Sequence, residues 1–496
     1  MYFMLLLTTA SLSFCTSFSF ATDAVVRPVE PTTIQPSEVI ATEIDATEKV
    51  IVMEDAQTID AAVIGAYKNN PELQQKRHEV LAAHEKYVQA TAGWRPRLEA
   101  NGSITGSKRI SSGTTKDSTS GTSGSTANTR QGGLTLSQNI FQGGSTVADV
   151  SKADQSVRSA WAGLQSTEQG TLFSAVKAFL ELLSQYAQVE LYKASKVAYQ
   201  KNYEAAVEKC NIGEETQTQV ANAEAKLAEA EANLRTAEAK LEGLKATYSQ
   251  ITGLQPAAQL KKPEPPAGLL PANLQSAVQV AKDQHPSVIA AKFDHLAAQS
   301  ETESIGGCLL PKVDVSASTT RNEARSRYEI GTTAQYARSN DMYTNNQVML
   351  EVKIPLYEGG NIRSQKRQAH ETAVQKRVAI EKAKTEAVQA VVQSWQDYQA
   401  AKTNIENYQK LVKATEVSLE GTKQEMAVGS KILLDVLNAQ AALLEAQLKL
   451  VQAEQAYILE SYRLMGSVGL LNAKYLKLPV EYFSPELHYQ MTRVRF

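Results

Sequence analysis

Few residues of this 496-residue chain stand at spacings that support chemistry. The six histidines are scattered, and His78 and His84, six apart on a helix, do not share a face that could hold a metal. No His-x-x-x-His pair, nucleophile elbow, Walker loop or Gly-rich dinucleotide turn occurs. Gly143-Gly144 and Gly359-Gly360 lack the Lys-Ser/Thr that would follow in a phosphate cradle, so they read as strand-to-helix bends. Cys210 and Cys308 fall in different parts of the sequence pattern and are too few for a disulfide framework. Asp435 lies just past Gly429, where a carboxylate is favoured by the helix macrodipole. The expectation is a chain with no catalysis, no cofactor and no metal.

The totals narrow the class further. With 43% hydrophobic and 21% charged residues the chain has ample material for a folded core, and a net charge of −2 gives no electrostatic reason to bind nucleic acid. Aromatics are scarce at 6%, while Ala, Gln, Glu, Lys and Leu crowd two long central stretches, a bias toward long helices. Residues 1–21 read as a secretory signal peptide: an apolar run begins at Leu5-Leu6-Leu7, and Ser19-Phe20-Ala21 ends in small residues. Lipidation at Cys15 is disfavoured by bulky Phe14 before it. Residues 22–54, rich in Pro, Thr, Val and Glu, read as a flexible lead-in.

The elements that must position the glycines and Asp435 come as two copies. Asn70-Pro71 and Pro96 recur as His285-Pro286 and Pro311, an offset of 215 (286 − 71, 311 − 96). Further on the offset is 216: Phe141-Gln142-Gly143-Gly144 matches Tyr357-Glu358-Gly359-Gly360, Gly213 matches Gly429, and Gly253 matches Gly469. Repeat 1 is assigned to 55–254 and repeat 2 to 272–471, joined by a Pro-rich linker at 255–271; a tail at 472–496 shows no period. Each repeat opens with a helix broken by its Pro and continues into a β-hairpin, at about 97–141 and about 312–356. In the hairpins Leu98, Ala100 and Gly102 alternate with Glu99 and Asn101, and Val348, Leu350 and Val352 with Glu351 and Lys353. The Ser/Thr/Gly-rich tract 103–130 and the polar tract 325–345 are expected to be exposed loops. Long helices follow, at about 145–252 and about 361–471, each broken at its glycine. Val220, Leu227, Leu234 and Leu241 keep a heptad; Val436, Leu443, Leu450, Tyr457 and Leu464 do the same beside a second stripe of Leu437, Leu444, Val451, Ile458 and Met465. Two stripes imply neighbours on more than one side.

A soluble α+β chain could bury the apolar strand faces against its own helices. The helices, however, are far longer than any four-strand sheet could cover. If the apolar face meets lipid, the sheet must close, because open edges in hydrocarbon leave backbone groups unpaired. Four strands cannot close alone, and membrane barrels start at eight. Three chains would supply twelve; closure by itself does not exclude four chains.

At these residues the sequence resembles the TolC-type outer membrane factor family, over about residues 55–472. The marks are Asn70-Pro71-Glu72-Leu73, Phe141-Gln142-Gly143-Gly144, Ile212-Gly213-Glu214-Glu215-Thr216 and the run Val428-Gly429-Ser430-Lys431-Ile432-Leu433-Leu434-Asp435-Val436. The resemblance implies a mainly α fold with a membrane β-barrel: a homotrimer forming a twelve-stranded β-barrel in the outer membrane, continued by a periplasmic α-helical barrel. It implies an exit duct recruited by a periplasmic adaptor and an inner-membrane pump of ABC or RND type, for type I protein secretion or export of drugs and other small molecules. The tips at Ile212, Gly213, Val428 and Gly429 would dock the adaptor and form the periplasmic entrance. Phe141 and Tyr357 would sit at the membrane interface beside the junction glycines. Acidic rings that bind cations in the family's gate are thinned: Asp435 matches one acid, but Asn438 and Gln219 stand where others occur, and Lys431 occupies a basic-latch position. The competing expectations are a surface-displayed trimeric coiled-coil adhesin and a periplasmic adaptor, neither of which needs the two lipid-suited hairpins.

Overall fold

A computed structural model describes residues 57–494 apart from 115–119, 258, 267, 269 and 331–334. The expected signal peptide and most of the lead-in lie outside the described residues. α1 (Ile59–Asn69) and α2 (Pro71–Thr91) are separated by Asn70. The Asn70 side chain caps α2 by accepting from the Glu72 and Leu73 amides, and Pro71 takes the first helical position, where no N–H is needed. His285 and Pro286 repeat the arrangement between α5 (Leu274–Gln284) and α6 (Pro286–Gly307), His285 Nδ1 accepting from the Ser287 amide.

The four strands, β1 (Arg97–Thr114), β2 (Ser120–Gln142), β3 (Lys312–Ile330) and β4 (Gln335–Lys353), form one antiparallel sheet in the order β1-β2-β3-β4. The tracts expected to loop out are therefore largely strand. A backbone ladder does not depend on side-chain polarity, and 18 residues extend roughly 60 Å at 3.3 Å each, well beyond a hydrocarbon layer about 30 Å thick. In the membrane sheet that the resemblance implies, the Ser/Thr/Gly stretches would be the strand ends that overshoot it. Leu98, Leu136, Ala317 and Val348 form one row across all four strands. On central β2, Arg130, Leu134 and Leu136 are exposed, while Thr129, Gly133 and Thr135 between them are less so, the pattern of a sheet curled with the leucine face outside. The outer edges of β1 and β4 have no strand partner among the described residues.

α3 (Ser145–Asn211) and α7 (Asn361–Ala427) are 67 residues each, about 100 Å long. α4 (Gln217–Thr252) returns along α3 and α8 (Leu433–Val468) along α7. The α4 heptad is completed by small residues: Ala223, Ala230 and Ala237 are buried, and Leu234, Leu241 and Tyr248 lie between and beyond them. That Leu/Ala alternation lets the helices approach closely. α3 also packs on α6 and α8, which joins the two copies side by side. Among the described residues no helix is long and apolar enough to cross a membrane.

The tail, aperiodic in sequence, is folded. Leu471, Ala473 and Leu478 enter the main core, Glu168 accepts from the Ala473 amide (2.8 Å), and α9 (Pro485–Val494) lies against α2. Burial pushes the Glu168 carboxyl up, and the Ala473 amide and Arg77 partly offset it.

Candidate functional site

The two helical tips are built identically. α3 ends at Asn211 and α7 at Ala427; Ile212 and Val428 cap them, and Gly213 (φ 82°) and Gly429 (φ 80°) take the left-handed conformation. The Gly213 amide donates to Cys210 and the Glu214 amide to Lys209; the Gly429 amide donates to Met426 and the Ser430 amide to Glu425. This is the Schellman closure, and it needs a residue that tolerates positive φ. It leaves Ile212 (71% exposed), Val428 (81%) and Ile432 (52%) as bare apolar side chains at the ends of the hairpins. Ile432 was missed in the sequence, since its counterpart in the first copy is Thr216.

Behind the tips, Tyr199, Ala206, Ala223, Leu433 and Leu437 form a small core that ties α3, α4 and α8 together. Asn202 donates to Gln440 Oε1 at 2.7 Å in the same region. Asp435, half-buried in the first turn of α8, accepts from the Ile432 amide through Oδ2 (3.3 Å), and its own amide donates to the Ile432 carbonyl. Its carboxylate thus fills the helix N-terminal role. Asn438 and Lys431 are exposed. Gln219 is half-buried, and its Oε1 is shielded with no hydrogen-bond partner.

At the other end of α3, Gly143 (φ 64°) and Gly144 (φ 82°) turn the chain from β2 into the helix, and Gly359 (φ 63°) and Gly360 (φ 80°) do the same before α7. The copies differ in one respect. A Cβ on Gly143 would lie 2.1 Å from the Gly307 carbonyl oxygen, whereas one on Gly359 would meet open space. Phe141 is 47% exposed and Tyr357 86%.

A cluster outside these positions also escaped the sequence. His84 is fully buried between Trp161, His488 and Tyr489; the Trp161 indole N–H donates to His84 Nε2 (2.9 Å), and Tyr489 donates to Asp154 (2.7 Å). Its partners lie up to 405 residues away (489 − 84), so no local spacing announces it. Among the described residues no group of three or more His, Cys, Asp or Glu is placed to hold a metal.

The outer membrane efflux protein family matches residues 65–253 and 277–470, one segment per copy. The outer membrane efflux protein BepC of Brucella suis is 31% identical over 441 residues, covering 88% of this chain and 91% of that protein. The outer membrane protein TolC of Escherichia coli is 26% identical over 420 residues, covering 82% of this chain and 80% of that protein. Among solved structures, the CmeC outer membrane channel of Campylobacter jejuni has the same fold, with a TM-score of 0.68 at 13% identity over 88% of this chain and 89% of that one. The chain belongs to the outer membrane efflux protein family and resides in the outer membrane of a Gram-negative bacterium, with its long helices in the periplasm.

Proposed function

We propose that three copies of this chain close into one exit duct, which a periplasmic adaptor and an inner-membrane pump recruit to move proteins or small molecules out of the cell. The observation that carries the reading is the sheet: four strands with a continuous apolar row on the more exposed face and two edges unpaired among the described residues. In hydrocarbon those edges demand partners, and a further copy of the chain supplies them.

The internal repeat supports the same closure on the helices. Within one chain the copies meet where Ser151 lies 3.0 Å from Ser300, Ser159 donates to Asp294 (2.6 Å) and Ser304 donates to Asp149 (2.6 Å). α3 maps onto α7 by 216 positions (361 − 145), and α6 maps onto α2 by 215 (286 − 71). Those contacts then become Arg367 with Glu85, Gln375 with Glu79, and Gln365 with Gln89, the second residue of each pair in the next copy. All six side chains are exposed in the single chain, and each pair is complementary in charge or hydrogen bonding. The exposed Ile212, Val428 and Ile432 tips would be the adaptor contacts, and Asp435 with Gln219 and Asn438 would line a weakly acidic gate.

Reconstitution in planar bilayers tests the reading. Long-lived conductance from purified trimers is the expected result; monomers freely soluble without detergent, or silent folded trimers, would overturn it.

A further inference from the structure

α3 and α8 pack along a seam that the linker reaches at Lys262, and there the packing is incomplete. Leu180, Leu183 and Ala187 share one face of α3, and Val451 and Ile458, seven apart on α8, stand opposite them. Between the two helices lies a cavity of about 140 Å³, open on one side. Folded interiors leave few voids larger than one water. A wall made of aliphatic side chains gives an ordered water few partners, whereas an apolar cavity of about 150 Å³ takes up benzene. The volume and the lining therefore suit a compact ring.

Two polar features narrow the occupant. Ser184, only 5% exposed, is part of the cavity wall. Its Oγ accepts from the Gln188 side-chain amide (3.0 Å), but its own proton is donated to none of the described residues. A buried hydroxyl with an unused donor favours a guest that brings an oxygen acceptor. At the rim, Lys262 Nζ and Glu454 Oε2 close on each other at 2.6 Å. Each charge is answered by the other, so an ion would have to break the pair to gain a partner. A neutral guest leaves it intact.

We propose that the cavity between α3 and α8 binds a small neutral aromatic molecule carrying one oxygen acceptor, with phenol as its simplest case. The ring lies against Leu183 and Val451, and the oxygen accepts from Ser184. The site is complete within one chain, so it stands whether or not three chains close into a duct. Because α3 belongs to the first copy and α8 to the second, a guest there adds contact between the two copies.

The test uses the full-length protein in detergent with methyl-labelled leucine and valine, titrated with phenol, benzene and benzoate. Phenol should give saturable shifts at Leu183 and Val451, with an affinity about fivefold above that of benzene, and benzoate should give none. Leu98 and Leu136, exposed on the sheet, report partition into detergent and should not saturate. Val451→Phe should remove binding of both rings by filling the cavity. Ser184→Ala, a change that a helix accepts readily, should bring phenol down to the affinity of benzene. Shifts at Leu183 no more saturable than those at Leu98, a phenol preference that survives Ser184→Ala, or equal binding of benzoate would each overturn the assignment. So would saturation that appears only after residues 22–54 are removed, which would give the cavity to the chain's own lead-in.

Discussion

The Nδ1 atoms of His84 and His488 lie 2.9 Å apart and join α2 to α9. Because the Trp161 indole donates to His84 Nε2, the His84 proton sits on Nδ1 and is donated to His488 Nδ1. The contact thus needs a neutral His84. A second proton on His84 would face the Trp161 N–H, with nothing to accept it.

Acid should loosen this contact. Burial, with His488 as the smaller cause, pushes His84 down to about 4, while a solvated histidine titrates near about 6.5. Between those values the undocked form binds a proton that the docked form does not. The contribution is therefore complete above about pH 6.5 and lost as pH falls toward 4. The groups facing the pair are Tyr489, Trp161 and Thr492, with Asp154, Arg158, Arg493 and Tyr87 around them. Amide exchange in α9, corrected for intrinsic rate, should accelerate relative to α3 between pH 7 and pH 5. In His84→Phe that pH dependence should flatten; a slope unchanged by the substitution would remove His84 as its source.

Asp435 carries two roles that substitution can separate. Asp435→Asn keeps an acceptor for the Ile432 amide but removes the charge, whereas Asp435→Ala removes both and should cost about 1 kcal/mol of local stability. If the carboxylate also constricts the entrance, both variants raise conductance and weaken divalent block. A conductance that stays at the parent value in Asp435→Asn would confine the residue to capping.

Gly429→Ala introduces a Cβ into open space, so its penalty is purely conformational, about 1–2 kcal/mol for a left-handed alanine. Gly429→Asn should recover part of it. Expected readouts are a lower melting temperature for Gly429→Ala and weaker cross-linking to an adaptor, with the asparagine variant intermediate. Equal behaviour of Ala and Asn would show that the turn is not held at positive φ.

The repeat-derived contact between Arg367 and Glu85 of the next copy is open to charge reversal. Arg367→Glu should reduce trimer heat resistance on a semi-native gel, and adding Glu85→Arg should restore it. An exposed pair of this kind contributes about 0.2–1 kcal/mol, so three per ring should move the transition by a few degrees at most. Failure of the double variant to recover would remove the pairing but leave the trimer standing.

Much of the architecture was legible because it is periodic. The heptads from Val220 to Leu241 and the double stripe from Val436 to Met465 fix long helices with two packing faces, and Gly213 and Gly429 mark their turns by needing positive φ. The strand ends were not legible, since residues such as Thr105, Ser107 and Thr126 show no apolar alternation and owe their place in the sheet to the backbone ladder. The tail was illegible for another reason: Tyr489 and Leu478 find partners hundreds of residues upstream, in contacts no local window samples. The positions of Asp435 and Gln219 could be read, but the half-cap at Asp435 and the unpartnered Gln219 oxygen depend on rotamers.

The free flanks of β1 and β4 govern how such a particle can come into being. Joining two subunits heals one seam and exposes the same number of raw ends as a lone subunit has; only the last arrival brings that number to zero. The first docking therefore gains one seam and the last gains two, so the transition from solitary chains to finished ring is steep in concentration. Pairs should be nearly invisible at equilibrium, and bilayer entry should coincide with the final docking event rather than precede it.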